Sequence, residues 1–145
     1  PVTRSVVTAA VRLARLVRGN LCLMSVVQPP PIIASEYGVV AEDIGPYLEA
    51  AEKGTKQRLT RLQQRQRSPL MSVATLQMTG VPVACILDAA KKKTAEYIVI
   101  GSHGHTAFYD LVVGSTAHGV LKRATCPVLV VPAPRKTKAL SKRKR

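Results

Sequence analysis

Residues 97–132, YIVIGSHGHTAFYDLVVGSTAHGVLKRATCPVLVVP, constrain the fold more than any other part of the chain. The segment opens on a short apolar run, Tyr97-Ile98-Val99-Ile100, that stops at Gly101. A buried parallel strand that ends at a turn has this composition. Gly101 and Gly104 follow with two residues between them, then nine residues, then Gly114-Ser115-Thr116. The last three open a helical pattern with Val120 and Leu121 apolar and Lys122-Arg123 in its final turn. A second β-branched run, Cys126 to Val131, comes directly after. The order is strand, glycine loop, helix, strand, the unit from which parallel sheets are built.

Such a unit suits an anionic ligand. Gly101 and Gly104 carry no Cβ, so backbone there can approach a ligand closely. Gly114-Ser115-Thr116 would set backbone N–H groups and two hydroxyls at a helix N-terminus, where donors and dipole together stabilise phosphate. A plain βα turn explains the glycines taken alone; the spacing goes further. The pattern G-x2-G-x9-G-[ST], with IVIGSHG before it, GSTA within and CPVLVVP after, resembles the nucleotide-binding signature of the universal stress protein family, in its ATP-binding branch. More loosely, the likeness runs from Ser5 to Pro132.

The resemblance implies a single-domain α/β fold over residues 1–132: an open, mainly parallel five-stranded sheet with helices on both faces, of the adenine nucleotide alpha hydrolase-like kind. It implies a strand order 3-2-1-4-5 and a first strand followed by an Asp-Gly-Ser turn whose Asp reaches the nucleotide. This sequence starts at Pro1-Val2-Thr3-Arg4-Ser5, which is similar to the residues just after that turn. The expectation is therefore upstream sequence carrying that strand, which would lie between Leu21–Val27 and Tyr97–Ile100. By the same resemblance Val26 and Ile100 flank adenine and ribose, and Gly101, His103 and Gly104 line the ribose and first phosphates. Gly114, Ser115 and Thr116 hold the remaining phosphates. The implied ligand is ATP, or ADP or AMP, with any Mg2+ held by the phosphates. The implied assembly is a homodimer through the last strand, Val128 to Val131, which Pro127 and Pro132 bracket.

The remaining elements follow from periodicity. Residues 5–17 place Val6, Val7, Ala10, Leu13, Ala14 and Val17 on one helical face, with Gly19-Asn20 as the stop. Leu21 to Val27 is a strand, ended by Gln28 and three prolines. Residues 32–43 fit a loop or a helix start equally. A long helix is expected from Pro46 to Arg67, with Tyr47, Leu48, Ala51, Leu59 and Leu62 as its apolar side. Val73 to Met78 is a strand, and Pro82 begins a helix that runs to Lys92. Helices alternate with strands throughout, the pattern of a parallel sheet with crossover helices.

Aromatic residues are 3% of the chain and Trp is absent, so Val, Leu, Ile and Ala must build the core. Cys22, Cys85 and Cys126 each sit in an apolar run, which reads as buried reduced thiols of a cytoplasmic protein. The formal charge is +14, and seven of the eleven residues from Arg135 to Arg145 are Lys or Arg. Residues 133–145 are expected to be a disordered basic tail, suited to non-specific contact with nucleic acid or an anionic membrane surface.

The three histidines, His103, His105 and His118, invite a metal reading, but no Cys or carboxylate at zinc spacing joins them and Asp110 stands alone. No metal site is expected. The chain has no G-x4-G-K-[ST] motif to place a lysine on the β/γ-phosphates, and no base to position water. The expected activity is nucleotide binding coupled to an unknown regulatory protein partner, with no catalytic residue. The alternatives are a weak ATPase or phosphotransfer enzyme on the same fold, and a basic nucleic-acid-associated protein. Without aromatic platforms, the last would be confined to phosphate contact.

Overall fold

Helix α1, Val2–Leu16, buries Val7, Ala10, Val11 and Ala14 and exposes Arg4, Arg12 and Arg15. This is the apolar stripe that the spacing predicts, turned slightly, because Val11 is buried and Val17 is not. The computed structural model describes residues 2–30, 34–35, 38–39, 44–66, 68–102 and 113–133. After α1 come β1 (Leu21–Val27), two short strands β2 (Ala34–Ser35) and β3 (Gly38–Val39), and α2 (Gly45–Arg65). They are followed by β4 (Val73–Thr79), α3 (Pro82–Lys92), β5 (Ile98–Gly101), α4 (Ser115–Leu121) and β6 (Val128–Val131). Residues 32–43 contribute an antiparallel ladder, Ala34 opposite Val39 and Ser35 opposite Gly38, and no helix start among the described residues.

The architecture is the expected α/β fold with parallel strands. Strand β1 pairs with β4 from Leu21 opposite Val73 to Val27 opposite Thr79. Strand β5 pairs with β6 from Ile98 opposite Val128 to Gly101 opposite Val131. Among the described residues β1 and β5 are not paired with each other, so the sheet is two parallel pairs rather than one continuous ladder. Helix α1 joins them by lying against β1, β5 and β6. Its Val7, Val11 and Ala14 form one buried cluster with Leu23, Leu59 of α2 and Met71. The buried residues of α3 and α4, Cys85, Ala89, Ala117 and Val120, lie outside that cluster.

Helices α1 and α3 stop by the same device. Arg18 has φ 52° and Thr94 φ 47°, both in the left-handed region. Gly19 N–H donates to Ala14 C=O (2.8 Å) and Arg18 N–H to Arg15 C=O (3.3 Å). Ala95 N–H likewise donates to Ala90 C=O (2.9 Å) and Thr94 N–H to Lys91 C=O (3.1 Å). This is the Schellman pairing, in which glycine normally holds the left-handed position. The helix stops at the expected Gly19-Asn20, and the left-handed position just before it is held by Arg18. A β-branched side chain at positive φ is disfavoured, so Thr94→Gly is expected to raise stability by about 1 kcal/mol in urea titration. An unchanged or lower midpoint would show that Thr94 carries no strain.

Two other expectations are corrected. Tyr47 is exposed rather than part of the apolar side of α2, where Thr55 and Leu59 are the buried residues. Of the three free thiols, Cys85 is buried and Cys126 half-buried, but Cys22 is exposed. Its place in an apolar run concealed that its side chain lies on the face of β1 opposite Leu23, away from the cluster under α1 and α2. Partial desolvation still raises the Cys22 pKa, while the nearby Lys93 charge draws it down.

Candidate functional site

Strand β5 ends on Ile100 and Gly101, and its ladder extends one residue further: Ser102 N–H donates to Val131 C=O at 2.8 Å. The buried Ser102 then accepts at its own C=O from Gly114 N–H, at 2.6 Å. This backbone hydrogen bond joins residues 102 and 114. It brings Gly101, Gly114, Ser115 and Thr116 to the carboxyl end of β5. His103 and Gly104, two further residues expected at the site, lie outside the described residues, as do His105 and Asp110.

Gly114 is the N-cap of α4, with φ −56° and ψ 153°. Its C=O accepts the first intrahelical bond, from His118 N–H at 2.9 Å. The first-turn N–H groups, on Ser115, Thr116 and Ala117, have no acceptor inside the helix. No side chain caps the turn. The Ser115 and His118 side chains are exposed and Thr116 is half-buried. Chemically this end offers hydrogen-bond donors and the positive end of a short dipole, with no carboxylate from 113 to 123.

Val26 sits one residue before the end of β1, half-buried and opposite Met78 of β4. It therefore occupies the carboxyl end of its strand, as Ile100 does in β5. The same end of β4 is tied to α2: Thr79 Oγ1 donates to Glu52 Oε1 at 2.7 Å. Val27 C=O accepts from Gly80 N–H at 2.9 Å.

The position of α4 depends on contact with α3. Ala117 and Val120 are 2% and 0% exposed. A Cβ built on Gly119 would lie 2.8 Å from Cγ2 of Val83, closer than carbon atoms approach without displacement. Gly119→Ala is therefore expected to cost about 1–3 kcal/mol by overpacking. Val83→Ala in the same chain should return most of it. Equal stability of Gly119→Ala and the double variant in denaturant titration would mean that the two helices do not meet through this pair.

Ser102 is the site residue that sequence reasoning missed. It fills a variable position between Gly101 and His103, and its contribution is made by the backbone, so its side-chain type carried no signal. Only its place directly after the β5 glycine could have drawn attention to it.

Comparisons with known proteins bear on the family and the fold. A sequence model of the universal stress protein family matches residues 1–132. Universal stress protein MJ0531 of Methanocaldococcus jannaschii is 30% identical over 115 residues, 71% of this chain and 68% of that protein. The solved structure of universal stress protein UspA from Lactobacillus plantarum superposes with a TM-score of 0.77 at 25% identity, over 90% of this chain and 89% of that one. A universal stress protein solved in complex with cAMP shares the fold at 18% identity and a TM-score of 0.52, over 89% of this chain and 85% of that one. With its signature spacing, its parallel pairs and these relatives in agreement, the chain belongs to the universal stress protein family.

Proposed function

We propose that this chain binds an adenine nucleotide (ATP, ADP or AMP) at the carboxyl ends of β1 and β5 and acts in the stress response through nucleotide-dependent contact with a protein partner. One observation carries the reading: the Gly114 N–H to Ser102 C=O bond draws the α4 N-terminus onto the end of β5. Glycine backbone and first-turn donors then address one volume. A relative on the same fold, solved with cAMP, supports an adenine nucleotide as the ligand class. In this reading Val26 and Ile100 flank the base and ribose. Gly101, His103 and Gly104 line the ribose and first phosphates, and Gly114, Ser115 and Thr116 take the remainder, with any Mg2+ held by the phosphates. The protein works in the cytoplasm as a homodimer through β6, where Leu129 is 42% exposed. It binds without efficient turnover.

Calorimetry with ATP, ADP, AMP and cAMP on the full chain tests this. At least one should bind with Kd below ~1 mM, and no heat from any of them overturns the proposal. Phosphate release from ATP should not exceed that of a Gly114→Glu control; release well above it would favour the weak ATPase instead.

A second reading has its own observation. Lys53, Lys56, Gln57, Thr60, Arg61 and Gln64 line one shallow depression along α2. Phosphate-backbone contact there, aided by the basic tail, would be non-specific and steeply salt-dependent. Absence of DNA and RNA binding at about 150 mM salt would leave these charges as solubility features.

A further inference from the structure

Two leucines stand out from one corner of the molecule, Leu16 at 82% exposed and Leu70 at 91%. Leu16 follows the buried Ala14 by two residues, about 200° round α1, so it points away from the sheet. Leu70 sits at the tip of a tight turn. Met71 N–H donates to Ser68 C=O (3.4 Å) and Leu70 N–H to Ser68 Oγ (3.2 Å). Buried Met71 anchors that turn in the core cluster and leaves Leu70 outside it. Both leucines belong to the amino ends of β1 and β4. Leu21 N–H donates to Ser72 C=O (2.9 Å) and Ser72 N–H to Asn20 Oδ1 (3.3 Å), tying the end of α1 to the turn that carries Leu70.

The charge around them is of one sign. Arg15 and Arg18 flank Leu16 at the end of α1, and Arg65 closes α2 three residues before Ser68; all three are exposed. Helix α3 ends in basic residues too, and the charge of Lys93 reaches the Cys22 thiol at the start of β1. No carboxylate occurs from residue 2 to 30 or from 53 to 87. Basic residues at helix C-termini complement the dipole, which accounts for the charges. It does not account for leucines held outward among them.

We propose that this corner docks on an anionic membrane surface, with Leu16 and Leu70 entering the boundary between headgroups and acyl chains. Arg15, Arg18, Arg65 and Lys93 then meet the lipid phosphates and carboxylates. Protruding leucines among cations call for an apolar layer just beneath a negative one, and a lipid interface supplies both. Nucleic acid offers phosphate but nothing for the leucines. A folded protein would need a pocket matched to each leucine, whereas a bilayer needs none. The contact is peripheral, since no helix among the described residues is long and apolar enough to cross a membrane. It uses the amino ends of the strands and the nucleotide is proposed at their carboxyl ends, so neither excludes the other.

The chain has no Trp, so Leu70→Trp introduces a single reporter. The probe is a vesicle of phosphatidylcholine containing about one third phosphatidylserine, added to the full chain without nucleotide. The Leu70→Trp emission should shift to the blue and be quenched by brominated acyl chains. Tyr47→Trp, exposed in the first turn of α2 at the other end of that helix, should show neither effect. At about 100 mM salt the wild-type chain should partition onto these vesicles at least about tenfold more strongly than onto phosphatidylcholine alone. Leu16→Ser combined with Leu70→Ser should weaken that partitioning at least about tenfold while leaving the circular dichroism spectrum unchanged, because both side chains are exposed. Four results would each overturn the proposal: equal partitioning onto both vesicle types, unchanged partitioning of the double leucine variant, no shift of the Leu70→Trp emission, or an equal shift with single-stranded DNA in place of vesicles. The second would assign membrane binding to the basic tail, and the fourth would assign this corner to nucleic acid.

Discussion

Gly114→Glu is expected to leave the circular dichroism spectrum near wild type and to weaken ATP binding at least tenfold, about 1.4 kcal/mol. The structure makes the folded variant plausible on its own terms. At φ −56° and ψ 153° Gly114 has extended backbone that any residue adopts, so its conformation does not demand glycine. The two bonds it makes, Gly114 N–H to Ser102 C=O and His118 N–H to Gly114 C=O, are both backbone bonds that a glutamate retains. The substitution therefore adds a side chain and a negative charge at the helix N-terminus without removing a structural contact. If phosphate is held there, bulk and repulsion both act on it. AMP, which reaches less far along the site, should lose less than ATP. Equal ATP affinity in wild type and a folded Gly114→Glu chain would show that Gly114-Ser115-Thr116 only starts a helix.

Leu23→Ala is expected to cost about 2–5 kcal/mol, a large fraction of the roughly 5–15 kcal/mol that holds a domain together. Leu23 is 7% exposed on β1 and lies in one cluster with Val7, Val11, Ala14, Leu59 and Met71. It is the point where β1, α1 and α2 meet. Strand β1 is held by its ladder to β4 and by this packing. The residual cavity would face α2, whose position is also set by another contact: Gln63 Nε2 donates to Val73 C=O at 2.6 Å. Collapse onto the missing side chain is thereby limited. The comparison is Leu129→Ala on β6, 42% exposed, which should cost under about 1 kcal/mol. If both variants shift the urea midpoint equally, Leu23 is not a keystone of the core.

Much of this protein follows from local chemistry. Val7, Ala10 and Ala14 recur at helical spacing, Leu21 to Val27 is a continuous apolar run, and Pro82 suits the first turn of α3. Each is a preference of a few neighbouring residues, and each element formed close to where it was expected. The spacing of Gly101 and Gly114 was likewise legible, because a family signature is written in residue types. What the sequence could not contain is which groups meet from different elements. The Ser102 to Gly114 bond joins backbone atoms, and backbone atoms are the same for every residue. The need for glycine at position 119 comes from Val83, thirty-six residues away on another helix. Arg18 and Thr94 hold left-handed positions because the chain must turn from helix to strand there, against their own preference. Tyr47 and Cys22 look buried by type yet are exposed, since the side that packs is chosen by what lies opposite. Hydrophobic runs declare a strand, but only its neighbours decide how many of its edges are paired.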